Sequence, residues 1–470
     1  MAASQSSWVI VEGSTLGRLR ALHSASTGRR ATTVSCTCHS TAYSGAERPS
    51  CASASASGAV IRGQGSQVPP SRAARRRRGL YETARGPRPV SRGGGRAPSG
   101  RRCGSTSSSE DSTAMTSRKT PYLQRLFDGP IDVVGDVHGE LDALLSLMRV
   151  LGYDERGEHP RGRRLVLLGD LCDRGPDSPG VLALARRMIE EGRAQAVLGN
   201  HELNLLREVP KHGNGWFFED DHDRARGEFA ASRRMAGDER EGALDFLREL
   251  PVALSREDLR VVHAVWDDPS FERLGAELAS WPPERIHRDD PGPPALQAEL
   301  ASLEPARAVE LGRYGARLND RDEVLPLLEA VGRSDALWQR GNPMRVVTSG
   351  LETLAARPYF AGGTWRMTDR VKWWEHYEDE IPVLYGHYWR WMDPVARGSY
   401  SKGEPDLFEG AAPNAWIGKR RNAFCTDFSV GARYKEREIG RTAPWRTRLA
   451  AVRWPERELV DDHGERRPLE

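Results

Sequence analysis

Lysine is missing from the first 114 residues of this 470-residue chain, where 17 arginines stand beside only 5 acidic residues. That segment carries +12 against a whole-chain formal charge of +3, so residues 115–470 carry −9. Long apolar runs are missing too: no stretch approaches the roughly 18 consecutive apolar residues of a membrane-spanning helix. Met1 is not followed by a basic and then an apolar segment, which excludes an ordinary secretory signal. Cysteine is scarce, and the irregular spacing of Cys36, Cys38, Cys51, Cys103, Cys172 and Cys425 does not describe a disulfide framework. These absences predict a chain that works in the reducing cytoplasm without a membrane partner.

Residues 1–114 are rich in Ser, Gly, Ala and Arg, with tracts such as Arg75–Arg78 and Gly93–Gly95. Neither the 3.6-residue nor the 2-residue apolar period is present, so no buried face offsets the entropy of ordering, and disorder is expected. Such a segment suits an organellar transit peptide, a nonspecific anion contact through Arg75–Arg78, or a nucleotide-biased leader ahead of an initiator at Met115. The total lack of lysine beside so many arginines favours the leader. Cys36, Cys38 and Cys51 lack the second half-site of a zinc module and are read as unrelated thiols.

From Met115 the pattern changes. Ile131-Asp132-Val133-Val134 stops at Gly135, and Leu141, Leu144, Leu145, Met148 and Leu151 follow at helical spacing. The same grammar recurs as Leu165–Leu168 before Gly169, with a helix through Leu182, Ala185 and Ile189, and again as Ala196–Leu198 before Gly199. Three successive βα units predict an α/β sheet. Further strands are expected at Leu259–His263, Pro382–Tyr385, Ala423–Phe428 and Arg448–Trp454, around a charged, helical insertion at about 219–340.

Each of the first three strands ends in a polar cluster: Gly135-Asp136-Val137-His138-Gly139, Gly169-Asp170-Leu171-Cys172-Asp173-Arg174-Gly175 and Gly199-Asn200-His201-Glu202. His263 and His387 end two later strands. Ligands of open α/β sheets bind beyond the carboxyl ends of the strands, so these clusters are expected to converge. Carboxylate and amide oxygens mixed with imidazole suit first-row divalent ions such as Mn²⁺, Fe²⁺ or Zn²⁺.

The ordered set GDVHG (135–139), GDLCDRG (169–175), GNHE (199–202), VHAVWD (262–267) and YGHYW (385–389) resembles the calcineurin-like metallophosphoesterase superfamily. Within it the set is similar to the branch of phosphoprotein phosphatases and diadenosine tetraphosphatases, in its bacterial form. One four-letter word arises by chance at roughly one position in 10⁵, so three in order are specific. The resemblance implies a four-layer α/β/β/α sandwich over residues 115–470 and a dinuclear metal site. Asp136 and His138 would hold the first ion, Asp170 would bridge, and Asn200, His263 and His387 would complete the second. A water shared by the two cations would attack phosphorus in line, as hydroxide. His201 would protonate the leaving oxygen, Asp173 would orient its ring, and Arg174 would grip the phosphoryl oxygens.

The substrate is less legible. The implied activity is hydrolysis of a phosphomonoester, in the manner of a serine/threonine protein phosphatase, with a dinucleoside tetraphosphate or a non-catalytic metal-binding role as alternatives. Arg366 and Arg370 are candidates for a second phosphate-binding arginine by position. Tyr388-Trp389-Arg390-Trp391 offers aromatic faces for a nucleobase, although most tryptophans are core. The −9 core disfavours nucleic acid as partner. His159, His212, His222, His287, His376 and His463 receive no role, and Cys172 and Cys425 are read as buried fillers.

Overall fold

The computed structural model describes residues 122–218, 229, 232–361, 363–394 and 405–470, with three short N-terminal strands, Trp8–Val9, Leu19–Ala21 and Thr33–Val34. The three pair antiparallel and belong to a unit ending at Ser107, separate from the unit Ser108–Glu470. Apart from them, the readings of residues 1–114 lie outside the described residues. Among the described residues no helix is long and apolar enough to cross a membrane.

Two sheets organise the larger unit, which is mixed α/β. In the first, Ile131–Val134, Arg164–Leu167 and Ala194–Ala196 run parallel, as the βα grammar predicts. Ala450–Trp454, Glu458–Asp461 and Arg466–Pro468 extend it antiparallel on the other side. The second sheet is ordered Ala423–Cys425, Val383–Tyr385, Leu259–Val262, Ala253–Arg256, Leu123–Arg125. Alternation along the strands sorts side chains between two apolar clusters. Val133 and Val166 meet Val261, Leu384 and Phe424 of the second sheet, whereas Val134 and Leu167 face Leu144, Leu147 and Met148 of helix Leu141–Leu151. That helix ends at Gly152, whose φ of +98° supplies the left-handed cap.

The insertion is not continuous. Ala253–Arg256 and Leu259–Val262 pair antiparallel within the predicted 219–340 stretch and form the middle of the second sheet. Leu259–Val262, which delivers His263, was expected, whereas Ala253–Arg256 was hidden by the surrounding charge. Helices resume with Asp268–Gly275, Pro283–Asp289, Pro294–Tyr314 and Glu329–Gly341. A hairpin unforeseen from sequence, Glu352–Ala361 with Thr364–Arg370, packs on Glu329–Gly341. It shares a small separate core of Leu325, Leu328, Val331 and Met367.

One polar residue inside the first sheet carries much of its specificity. Asp132, fully buried, accepts from Tyr153 Oη at 2.7 Å, Arg163 Nε at 3.0 Å and Arg453 Nε at 3.0 Å. Removing one partner of a buried ionic network leaves uncompensated charge. Asp132→Asn is expected to destabilise the fold by about 3–5 kcal/mol in denaturant melts, and a loss under about 1 kcal/mol would show the network to be dispensable.

Candidate metal centre

Every parallel strand near the sheet centre ends at the same place. Gly135 to Gly139 follow Val134, Gly169 to Gly175 follow the second strand, and Gly199 opens helix Asn200–Leu206. His263, Gly386-His387 and Thr426-Asp427 follow the strands of the second sheet. His138, Asp170, Asp173, Arg174 and His387 all adopt positive φ, between 46° and 73°. Non-glycine residues there are strained, and such strain concentrates at functional sites. Gly386 shows how tight the assembly is: a Cβ there would lie 2.0 Å from Asp136 Oδ1.

The structure brings together all nine residues expected from sequence. His138, Asp170 and His201 present donor atoms within 4.8 Å of one another, as do Asp170, His263 and His387, all buried. Asp170 belongs to both groups, which fits a bridging carboxylate. Asp136 lies alongside, its Oδ2 4.0 Å from His138 Nε2, and its carboxylate accepts the His387 backbone N–H at 3.1 Å. Asn200 Oδ1 is 3.3 Å from His263 Nε2.

The donor set fits a pair of divalent cations. His138 and His263 engage backbone carbonyls of Cys172 and Leu168 through Nδ1, at 3.1 and 2.6 Å, leaving Nε2 aimed at Asp170. His387 Nε2 is buried with no hydrogen-bond partner. Burial, with the Arg174 and Arg370 charges respectively, holds His138 and His387 well below the usual imidazole range, neutral as metal ligands must be. Burial opposes ionisation of Asp170, but the His263 and His201 charges outweigh it and hold its carboxyl well below the usual range. His263 is raised to about 10 because Asp170 outweighs its burial. Asp136 is pushed well up by burial and then by Asp427.

Beside the ligands runs a chain of hydrogen bonds. Trp216 Nε1 donates to Asp173 Oδ1 at 2.7 Å, and Asp173 Oδ2 takes His201 Nδ1 at 2.6 Å. His201 Nε2 then faces Arg174 Nη2 at 3.0 Å, while Arg174 Nη1 faces His138 Nε2 at 2.9 Å. Asp173 thus fixes the tautomer of His201.

Three participants escaped the sequence reading. Asp427 is buried in the cluster, and burial pushes its carboxyl up to about 6. It stands at a strand end like the candidate ligands, a signal masked by drawing the strand on to Phe428. Glu202 accepts the backbone N–H groups of Gly199 at 3.0 Å, Asp170 at 2.8 Å and Leu171 at 2.7 Å, tying the second cluster to the third. Trp216 had no motif to mark it. Cys172 and Cys425 are buried, as read, and Asp267 of the fourth motif caps helix Asp268–Gly275 through Ser270 N at 3.0 Å.

A cavity of about 440 Å³ opens from Arg174, Asn200 and His387 toward the helical stretch and hairpin. His287, given no role from sequence, lines it and is pushed down to about 3, first by burial and then by Arg207, Arg345 and Lys211. An unfolded histidine gains its proton near 6.5, the folded one only near 3, so stability is whole above 6.5 and declines as pH falls through that window. His287→Gln is expected to flatten this decline by up to about 1.4 kcal/mol per pH unit, read as urea midpoints at about pH 7.5 and about pH 5. Identical slopes in both proteins would refute the assignment.

The calcineurin-like phosphoesterase family profile matches residues 129–294. An asymmetrical bis(5'-nucleosyl)-tetraphosphatase PrpE from Halalkalibacterium halodurans is 47% identical over 79 residues, 16% of this chain and 32% of that protein. A symmetrical bis(5'-nucleosyl)-tetraphosphatase from a Marinomonas species is 33% identical over 152 residues, 31% of this chain and 49% of that one. The chain thus spans 32% to 49% of the length of these curated relatives. The crystal structure of a cold-active protein-tyrosine phosphatase from a Shewanella species matches 74% of this chain and 82% of its own, at 15% identity and a TM-score of 0.34. Residues 129–294 are thus similar to the calcineurin-like phosphoesterase family.

Proposed function

We propose that the chain is a metal-dependent phosphoric ester hydrolase whose ions are held by Asp136, His138, Asp170, Asn200, His263 and His387. Two divalent cations, when bound, would lower the pKa of water and neutralise phosphoryl charge. The observation that carries the reading is the Trp216–Asp173–His201–Arg174 chain beside Asp170, at 2.6–3.0 Å between successive partners. Arg174 turns from the two imidazoles onto the phosphoryl oxygens, which its guanidinium fork matches. That movement frees His201 Nε2 to carry the proton it delivers to the leaving oxygen, with Asp173 stabilising the imidazolium. Arg370, tied to the His387 carbonyl at 3.0 Å and lining the cavity, is placed to hold a second phosphoryl oxygen.

The substrate of this reading is a phosphomonoester of the serine/threonine phosphatase kind. A dinucleoside tetraphosphate is the second reading, favoured by Trp389, Trp391, Tyr359 and Tyr434 in the cavity wall and consistent with the names of the sequence relatives. Manganese is the first metal to test, and the cytoplasmic location rests on composition alone. The deciding experiment loads the full chain with Mn²⁺ and follows ³¹P spectra with a phosphopeptide and diadenosine tetraphosphate together, using Asp170→Asn as control. Inorganic phosphate from the peptide supports the first substrate, and nucleotide products support the second. No turnover of either with metal bound would overturn the hydrolase reading in favour of a metal-binding module.

A further inference from the structure

Strand Ala423–Cys425 runs parallel to Val383–Tyr385, so Thr426-Asp427 leaves the second sheet beside Gly386-His387. The turn that follows is pressed against the residues proposed for the first ion. A Cβ on Gly135 would lie 2.3 Å from the Thr426 carbonyl oxygen, and one on Gly431 would lie 2.2 Å from His138 Cδ2. Ser429 pins the turn between these contacts. It adopts a φ of +62°, its Oγ donates to the Arg390 carbonyl at 2.8 Å, and the Arg390 N–H donates to the Asp427 carbonyl at 3.0 Å. Backbone strain of this kind persists only where the surroundings over-determine it.

The turn carries one acid whose bonding is incomplete. Asp427 is 1% exposed, and its Oδ1 accepts the Ser429 N–H at 2.8 Å, whereas its Oδ2 is buried without a hydrogen-bond partner. The neighbouring acids are engaged within the chain. Asp173 takes Trp216 and His201, Glu202 takes backbone N–H groups, and both oxygens of Asp136 take the His387 N–H. Besides burial and the Ser429 N–H, the groups that act on the Asp427 carboxyl are Asp170, Arg174 and His263. Asp427 Oδ2 thus lies among the candidate ligands in the same state as His387 Nε2, buried and orphaned. A carboxylate oxygen buried unpaired costs stability, and a cation is its natural complement.

We propose that Asp427 is a further residue of the metal centre, adding a third carboxylate to the position of Asp136 and His138 and making it select Mn²⁺ over Zn²⁺. The inference rests on the ligand set of the proposed function. Without Asp427 that position offers the carboxylates of Asp136 and Asp170 and one imidazole, a small set of the kind that closes tetrahedrally on Zn²⁺. With Asp427 the oxygen donors dominate. Carboxylate oxygen and a larger coordination shell suit Mn²⁺, whereas imidazole and four-coordination suit Zn²⁺. The other position is of the second kind, since Asn200, His263 and His387 set two imidazoles beside Asp170.

The test is metal binding by the full chain after stripping with a chelator, with Mn²⁺ and Zn²⁺ as separate probes, read by titration calorimetry and by the electron paramagnetic resonance of free Mn²⁺. Asp427→Asn keeps the Oδ1 acceptor for Ser429 and removes the charge. One Mn²⁺ equivalent is expected to weaken by about 10–100-fold, the usual cost of losing a group that supports a metal site, while Zn²⁺ affinity changes by less than about threefold. The metal-free melting temperature should stay level or rise, because the oxygen replaced had no hydrogen-bond partner. A lower metal-free melting temperature would make Asp427 a structural acceptor of the turn and overturn the proposal. Parallel loss of both metals, or unchanged Mn²⁺ affinity, would overturn it as well. No Mn²⁺ binding by the unsubstituted chain would overturn the ligand set along with it. Turnover of p-nitrophenyl phosphate by the Mn²⁺-loaded chain is read separately. Selective weakening of Mn²⁺ in the variant, with no turnover by the unsubstituted chain, keeps Asp427 and removes the hydrolase reading, and turnover with metal binding indifferent to Asp427 does the reverse.

Discussion

Asp170→Asn is expected to lower kcat for p-nitrophenyl phosphate by about 10³-fold, the upper end of what one electrostatic stabiliser supplies. The residue has three simultaneous tasks. It belongs to both donor groups, its Oδ1 lies 3.4 Å from His263 Nε2, and it accepts the His201 backbone N–H at 3.0 Å. An asparagine keeps the shape and the last of these contacts but removes the charge that the two proposed cations would share. Metal content should therefore fall from two equivalents per chain to one or fewer, measured by elemental analysis after desalting. Two retained equivalents with undiminished kcat would show that the ions are held elsewhere.

His201→Gln should separate the proton donor from the metal centre. For a phosphate ester of an aliphatic alcohol, whose leaving oxygen needs a proton, kcat is expected to fall by about 10²–10⁴-fold. For p-nitrophenyl phosphate, whose leaving group departs as a stable anion, the loss should be far smaller. Asp173→Asn should follow the same order at lesser magnitude, because it misorients the ring that Trp216 and Asp173 now fix at 2.7 and 2.6 Å. Equal losses on both esters would make His201 a ligand, a role its membership of the first donor group also permits.

The centre was legible because its chemistry lies where backbone periodicity breaks. A strand that ends and is followed, mostly after a glycine, by Asp, His or Asn announces a turn beyond a sheet edge, and five such ends gave the six candidate ligands. Asp427 obeys the same rule, but Phe428 is apolar and buried, and the apolar run seemed to continue through it. Glu202 was visible as a letter of its motif, whereas its work is done on backbone N–H groups that no sequence pattern reveals. The hairpin Glu352–Ala361 and Thr364–Arg370 escaped for a different reason. Its strands face a small core on one side and the cavity on the other, so their mixed polar pattern resembles neither a core strand nor a helix.

The hairpin and the helices Pro294–Tyr314 and Glu329–Gly341 share a core distinct from the two clusters that hold the sheets. On the proposed function, bond breaking would be anchored in one layer of the molecule and substrate contact in another. A change in Leu325, Val331 or Met367 would act on the hairpin that carries Arg366 and Arg370, away from the two sheets that carry the candidate ligands. On that reading, exchanging the outer cassette would change the substrate and leave the inner chemistry in place.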